Sequence, residues 1–407
     1  MPQFDLVIFG ASSFVGQILC RHLQHLQEEQ GLVFSWAIAG RSAAKLSALK
    51  AELGLQELEV IVANADDEMQ LQAMCQRSKV VVSTVGPYAL FGELLVKTCV
   101  SQGTDYCDLT GEVQWIAKML ARYEHVAKIT GARIVNCCGF DSVPSDLGVY
   151  FLQQHAKQQQ GEYCPSVKMR VQTMRGEASG GTVASMTNIF KEVAFDRQLR
   201  RTLADPYAIC PAEFQSRISQ KTMNLPQYDD DFSSWVAPFV MAVINTRIVL
   251  RSNALLAEPY SQEFSYNEAM LTGQGVIGST LAMGIGAGLG GFAMAAVIPP
   301  TRWLMTRTFL PKPGEGPSEQ AQREGSYDLR FLGISPSGQH IKARVTGDQD
   351  PGYGSTAKIL AQAALCLCQD INKETKGGGF WTPAAIFGET LIQRLEQHAG
   401  LRFELIP

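Results

Sequence analysis

Gly10-Ala11-Ser12-Ser13-Phe14-Val15-Gly16 lies between an apolar run, FDLVIF, and a helical stretch. A strand, a glycine turn and a helix in that order suit a dinucleotide. The backbone can approach a pyrophosphate there, and the first helical turn offers unpaired N–H groups. Ser13 stands where the middle glycine of the usual fingerprint falls. The second apolar run ends in Ala39-Gly40-Arg41-Ser42, with Lys45 one turn further on. An NAD site wants a carboxylate at that position for the ribose hydroxyls. Arginine and a helix-start hydroxyl suit a 2′-phosphate instead, so NADP(H) is expected in preference to NAD(H).

Three further strand ends carry polar residues. Asp66, after the third, either meets an adenine edge or caps the next helix. Thr84-Val85-Gly86-Pro87-Tyr88, after the fourth, should place Val85, Gly86 and Pro87 beside a cofactor. Tyr88 there is either a proton donor or a packing residue. Asp108, Glu112 and Asp141 follow the fifth and sixth strands and are candidates to orient substrate or cofactor, with Asp141 as a second candidate acid. Thr110, Ser142 and Ser145 in the same loops are equally good helix caps.

The elements that must hold these residues alternate regularly. Strands are expected at 4–9, 33–39, 58–63, 80–85, 104–109 and 133–136, with helices at 14–30, 42–53, 67–77, 92–102 and 113–130. That alternation implies an α/β, doubly wound parallel sheet, a Rossmann domain over residues 1–150. Beyond it the rhythm changes. Strands are expected at 167–173 and 246–251, separated by a mostly helical stretch at 182–220. The acidic run at 229–231 is expected as a solvated loop, and Pro336-Ser337-Gly338 as the turn of a hairpin within 327–346. A helix at 355–370 completes an α+β substrate domain of residues 151–375. Residues 376–407 supply a last helix, at 383–397, that returns to the first domain. Residues 310–323 read as a polar loop.

No charged residue occurs from Ala269 to Thr301, and residues 276–298 would make a helix about 35 Å long, enough for a hydrocarbon core of roughly 30 Å. Seven glycines fall between Gly275 and Gly291, with GxxxG spacing at Gly284/Gly288 and Gly286/Gly290. Arg302, Arg307 and Lys312 follow. Three readings stand: insertion into a membrane surface, a buried glycine-rich helix pair lining a lipid tunnel, and a true span.

The 407 residues are 46% hydrophobic and 18% charged, with a net charge of −4, and suffice for two domains. The balance argues against a nucleic-acid partner; Arg197, Arg200 and Arg201 read as one solvated helix face. The ten cysteines show no CxxC pair, so no metal site is expected. A strand pattern at the start, without a signal sequence, and unpaired cysteines point to an intracellular, cytoplasmic protein, and the 276–298 stretch to peripheral association with the plasma membrane.

These stretches together resemble the saccharopine dehydrogenase-like oxidoreductases, and within them the trans-acting enoyl reductase subfamily. The resemblance rests on GASSFVG, AGRSAAKL, STVGPYALFGELLVKTC, GTDYCDLTGE, CCGFDSVPSDLGVY, SGGTVASM, PFVMAVINTRIVLRSNALL, DPGYGSTAK and WTPAAIFGETLIQRL, in order over most of the chain. It departs at Ser13, where relatives often carry glycine. It implies an NAD(P)-linked reductase of lipid or glycolipid synthesis that delivers hydride to the β-carbon of an enoyl thioester and a proton to the α-carbon. The implied partners are a hydrophobic acyl or polyketide-type substrate, carrier- or CoA-bound, and a membrane surface; a homodimer is open at this level. Two alternatives remain at this level. One is a saccharopine-type amino-acid dehydrogenase, with Arg247 and Arg251 as candidate carboxylate ligands. The other is a non-catalytic nucleotide-binding scaffold at a membrane surface.

Overall fold

A computed structural model describes residues 2–176, 193, 196–215, 218–257, 259–298, 300–301 and 316–407. The chain forms two compact units. The first holds Met1–Val143 and Gly352–Gly400; the second holds most of 144–351 and then Leu401–Pro407. The first unit begins with β1 (Phe4–Phe9), α1 (Phe14–Glu28), β2 (Trp36–Gly40), α2 (Ala43–Leu53), β3 (Glu59–Val62) and α3 (Glu68–Gln76). It continues with β4 (Ser78–Ser83), α4 (Tyr88–Phe91), α5 (Glu93–Gln102), β5 (Asp105–Asp108), α6 (Val113–Thr130) and β6 (Arg133–Val135). β1 and β4 read FDLVIF and SKVVVS, and their apolar side chains are buried to either side. Near-continuous apolar runs of this kind are what a parallel sheet covered on both faces requires.

The second unit contains α7 (Val143–Gln160), β7 (Ser166–Arg175), α8 (Arg197–Ala204), β8 (Gln227–Asp229), β9 (Ser234–Ala237) and α9 (Ala242–Leu255). β10 (Ser265–Gly273), α10 (Gly275–Val297), α11 (Glu319–Glu324), β11 (Ser326–Ile334) and β12 (His340–Gly347) follow. The chain then supplies α12 (Thr356–Gln369), β13 (Gly379–Trp381), α13 (Pro383–Ile386) and α14 (Glu389–His398) to the first unit, and β14 (Leu401–Ile406) to the second.

The first sheet has the order β3-β2-β1-β4-β5-β6-β13, all parallel. Strand order reverses between β1 and β4, so the loops after these two strands open a crevice at the carboxyl edge. The second sheet, β14-β12-β11-β7-β10-β9-β8, is mixed: β7 and β10 pair in parallel and the rest antiparallel. α7 lies close on this sheet through Gly148, where a Cβ would come within 2.3 Å of the Phe331 ring. The hairpin at β11–β12 turns at Pro336-Ser337-Gly338 as expected, with Ile334 opposite His340.

Several expected elements differ. Residues 246–251 are part of helix α9, not a strand. TRIVLR is a short apolar run, and such a run leaves helix and strand undecided. Ile244, Ile248, Val249 and Leu250 are buried around most of the helix. Asp229 is not in a solvated loop: it is buried and paired with the buried Arg170 at 2.6 Å. The 355–370 helix, expected in the second domain, contacts β1, β4 and β5 of the first sheet. The final helix does return to the first unit, against α12, but is broken at Gly388, and the chain ends in a strand. The 276–298 stretch is one helix, α10, and is mostly exposed; it is not a buried pair. The SGGTVASM motif, residues 310–315, and Arg302, Arg307 and Lys312 lie outside the described residues; the end of the expected 310–323 loop is instead helical, in α11, which Ser318 caps by accepting the Ala321 N–H.

Candidate active site

The loop after β1 is shaped by two glycines. Gly10 has φ +90°, and a Cβ on it would lie 2.6 Å from the Val85 side chain and 2.8 Å from the Thr84 hydroxyl. A Cβ on Gly16 would lie 2.3 Å from the Gly10 carbonyl oxygen, so α1 can start this close to β1 only without a side chain there. Ser13 between them has ordinary extended backbone and caps α1: its hydroxyl accepts the Gly16 N–H at 3.0 Å. That hydroxyl also lies 2.9 Å from the Thr84 hydroxyl, and Thr84 donates to the Gly10 carbonyl at 3.0 Å. Thr84 therefore latches the β4 loop to the glycine loop.

The N–H groups of Ser12, Phe14 and Val15 have no acceptor among the described residues. Three open donors at one helix start form a cradle for a pyrophosphate. Ala11 is buried beneath it. These observations fit a dinucleotide: Gly10 and Gly16 leave the space that a side chain would fill, and the open donors face an anion's chemistry.

Arg41 follows β2 directly and is exposed, as is Lys45. Neither has a carboxylate partner among the described residues. The Ser42 hydroxyl accepts the Lys45 N–H at 3.4 Å and so starts α2. Asp66 is exposed in the loop after β3. It does not cap α3; Asp67 does, accepting the Gln70 N–H at 3.0 Å. Val85 borders the glycine loop, Gly86 lies against the Tyr88 ring, and the Gly86–Pro87 peptide is cis.

Tyr88 is buried, and its hydroxyl is committed to the backbone. It donates to the Ser83 carbonyl at 2.9 Å and accepts the Leu109 N–H at 3.2 Å. Burial, then the nearby Asp108 carboxylate, raises its pKa well above the usual phenol value. This geometry corrects the proton-donor reading: Tyr88 braces β4 against β5. Glu112 likewise braces, its two carboxylate oxygens accepting the Tyr88 and Ala89 N–H groups at 2.8 and 2.9 Å. Asp108 ties β5 to β6 by accepting from Thr110 and Cys137 N–H and from the Asn136 amide. Burial lifts its pKa to about 6 against those hydrogen bonds. Neither acid is available to orient a substrate in the way the sequence suggests.

Asp141 differs from both. It is half-buried in the turn after β6, and Gly111 lies beside it: a Cβ there would be 3.9 Å from Asp141 Oδ2. Burial raises its carboxyl to about 6. The same turn is fixed by the Phe140 N–H, which donates to the Thr356 hydroxyl at the start of α12. Tyr353 in the preceding turn packs edge-on against Phe14 of the glycine loop, with ring centroids 5.2 Å apart. The glycine loop, the Thr84 loop and Asp141 therefore all stand at the carboxyl edge of one sheet. Thr84 and Thr356 were not singled out from the sequence. Thr84 had a signal, a hydroxyl at the first residue past a central strand; Thr356, more than 200 residues from Phe140, had none.

In the second unit, Arg247 and Arg251 are buried on α9. Their guanidinium groups donate to backbone carbonyls, Arg247 to Val243 and Leu203 and Arg251 to Ile209. They are fastened to the fold, against the amino-acid dehydrogenase reading that would set them on substrate carboxylates.

Fold and site define a Rossmann-type, dinucleotide-binding protein. Residues 6–183 match the saccharopine dehydrogenase NADP binding domain family. The chain is 37% identical over 404 residues to a putative trans-acting enoyl reductase of Mycobacterium tuberculosis, covering 97% of this chain and 95% of that one. It is 36% identical over 405 residues to a trans-acting enoyl reductase of Mycobacterium bovis, covering 97% and 96%. In fold it is similar to apo saccharopine dehydrogenase (L-Glu forming) of Saccharomyces cerevisiae, with a TM-score of 0.56 at 13% identity over 99% of this chain and 100% of that one. The chain belongs to the saccharopine dehydrogenase-like trans-acting enoyl reductase family and is an NADP-binding oxidoreductase.

Proposed function

We propose that the protein is an NADPH-linked enoyl reductase acting on a hydrophobic acyl or polyketide-type intermediate of lipid or glycolipid synthesis, presented as a thioester of CoA or of a carrier. The observation that carries it is the presence, on one sheet edge, of an open dinucleotide cradle and a half-buried carboxyl, Asp141, whose pKa lies near 6. The names of the full-length relatives support the reaction type.

Ser12, Phe14 and Val15 N–H groups would hold the pyrophosphate, and Arg41, Ser42 and Lys45 the 2′-phosphate. The uncompensated cations favour NADPH over NADH. NADPH held there would supply the hydride for the β-carbon of the enoyl thioester. Negative charge then develops at the α-carbon in conjugation with the thioester carbonyl. Asp141 gives its proton to that carbon, completing the saturated product, and recovers a proton from water on its exposed side.

The test is NADPH oxidation by the purified chain in the presence of enoyl thioesters of increasing acyl length, with saccharopine and related amino acids in the reverse direction as the comparison. Turnover that rises with chain length, and fails for the amino acids, supports the proposal. Turnover of the amino acids alone, or binding of neither nucleotide, overturns it.

A further inference from the structure

α10 is the feature that the reaction does not use. Its 23 residues span about 34 Å, and their only polar side chains are Ser279 and Thr280. Both hydroxyls donate back to the Val276 carbonyl, at 2.9 and 2.8 Å, so no side-chain polar group on the helix needs water. One stripe is covered. Gly278, Ala282 and Ala296 are buried, and a Cβ on Gly286 would lie 3.0 Å from Pro226. This stripe faces β8, β9 and β10 of the same unit. The remaining circumference is bare: Val276 and Ile277 are 80% and 83% exposed, Met294 68%. Beside Pro226, Leu225 is 75% exposed and continues the apolar surface onto the approach to β8.

We infer that α10 lies in the plane of a lipid bilayer surface, its glycine-alanine stripe on its own sheet and its outer face among acyl chains. Three observations select this occupant. Over its whole length the helix offers no charged side chain and no unbonded hydroxyl, unlike a soluble interface, whose apolar centre is interspersed and rimmed with polar groups. A transbilayer path would draw the neighbouring strands with it, and β8 carries the charged Asp229. And from Ala269 to Gly314 the sequence holds three charges, Arg302, Arg307 and Lys312, all basic, which complement anionic headgroups. The inference is independent of the proposed reaction and places the enzyme peripherally on a membrane.

The test is co-sedimentation of the full chain with phosphatidylcholine vesicles with and without phosphatidylglycerol. The comparison is with Ile277→Asp/Met294→Asp, two exposed positions. Expected results are binding by the natural chain, stronger on the anionic vesicles, and a more than tenfold fall in partitioning for the variant. An unchanged thermal midpoint shows that the variant is folded, whatever becomes of its reductase activity. No vesicle binding by the natural chain, or equal binding by the variant, overturns the inference. So does self-association in vesicle-free buffer that the variant abolishes and that vesicles fail to displace, since a second copy would then cover the face.

Discussion

Arg41 gives the sharpest test of how the site reads its cofactor. Replacing it with alanine removes one exposed guanidinium and leaves the glycine loop, Thr84 and the Ser42 cap untouched. Two unit charges about 4 Å apart attract by about 1 kcal/mol in bulk water and about 4 kcal/mol at an effective dielectric of 20. Arg41 is exposed and so belongs nearer the lower figure. A hydrogen bond to a charged group contributes about 1.5–3 kcal/mol. A loss of about 2 kcal/mol for NADPH, or roughly 30-fold in Kd, is expected, with no change for NADH, which lacks the phosphate. Lys45→Ala, at the rim, should cost about 0.5–1 kcal/mol. Raising ionic strength from about 0.01 to 0.15 M shortens the screening length from roughly 30 to 8 Å and should narrow the NADPH preference without abolishing it. Fluorescence titration of both nucleotides against both variants decides. Equal weakening of NADPH and NADH would place Arg41 on a part the two share; no weakening would remove the 2′-phosphate from this strand end.

Gly16→Ala sets a Cβ 2.3 Å from a backbone oxygen that cannot turn aside, so a loss of about 3 kcal/mol in denaturant stability is expected, whereas Gly284→Ala, in open space mid-helix, should gain up to about 1 kcal/mol; similar midpoints for the two would refute the packing argument. With Asp141 as the acid and its carboxyl near 6, the single-turnover rate at saturating NADPH should fall about tenfold per pH unit above about pH 6, and Asp141→Asn should be slow and flat; a variant that keeps the limb assigns it to another group. Glu268, buried in the second unit, is raised to about 7 chiefly by burial, against hydrogen bonds from Tyr266, Ser145 and Asn245. An unfolded glutamate ionises near about 4.3, so between there and about 7 the native state holds the extra proton. Stability should therefore fall as pH rises through that window, by roughly 3–4 kcal/mol. Glu268→Gln should make the fall shallower, leaving the part that Asp108 and Asp141 contribute below about pH 6; an unchanged slope of urea midpoint against pH would show that Glu268 does not contribute.

The first unit was legible in the sequence because β1, β2 and β4 are largely apolar and the first three helices begin at hydroxyl or carboxylate caps, Ser13, Ser42 and Asp67. The second unit was legible at β7 and at the β11–β12 hairpin but not between them, where the strands are short or polar. β8 is three residues, and β7 carries the buried Arg170, whose partner Asp229 lies 59 positions away. A buried ion pair looks like two surface charges until the fold brings them together. The last strand, LRFELI, pairs with β12 across an interval of more than fifty residues, which no local pattern announces.

The site divides along the same line. Backbone-driven parts were readable, since a dinucleotide loop needs glycine where the chain crowds itself, and Gly10 and Gly16 are the two positions where a Cβ collides. Ser13 shows why its missing glycine costs nothing there: the backbone at that residue is ordinary, and the side chain turns inward to Thr84 instead of toward the nucleotide. Carboxylates were the ambiguous class. Asp108, Glu112 and Asp141 follow neighbouring strands and look alike as residues, yet the first two spend their oxygens on N–H groups of adjoining loops. Only the position of those N–H groups separates a brace from an acid. Asp141, half-buried beside Gly111, is the one of the three whose carboxyl is shaped by burial alone, and it is there that a proton held to about pH 6 can be put to use.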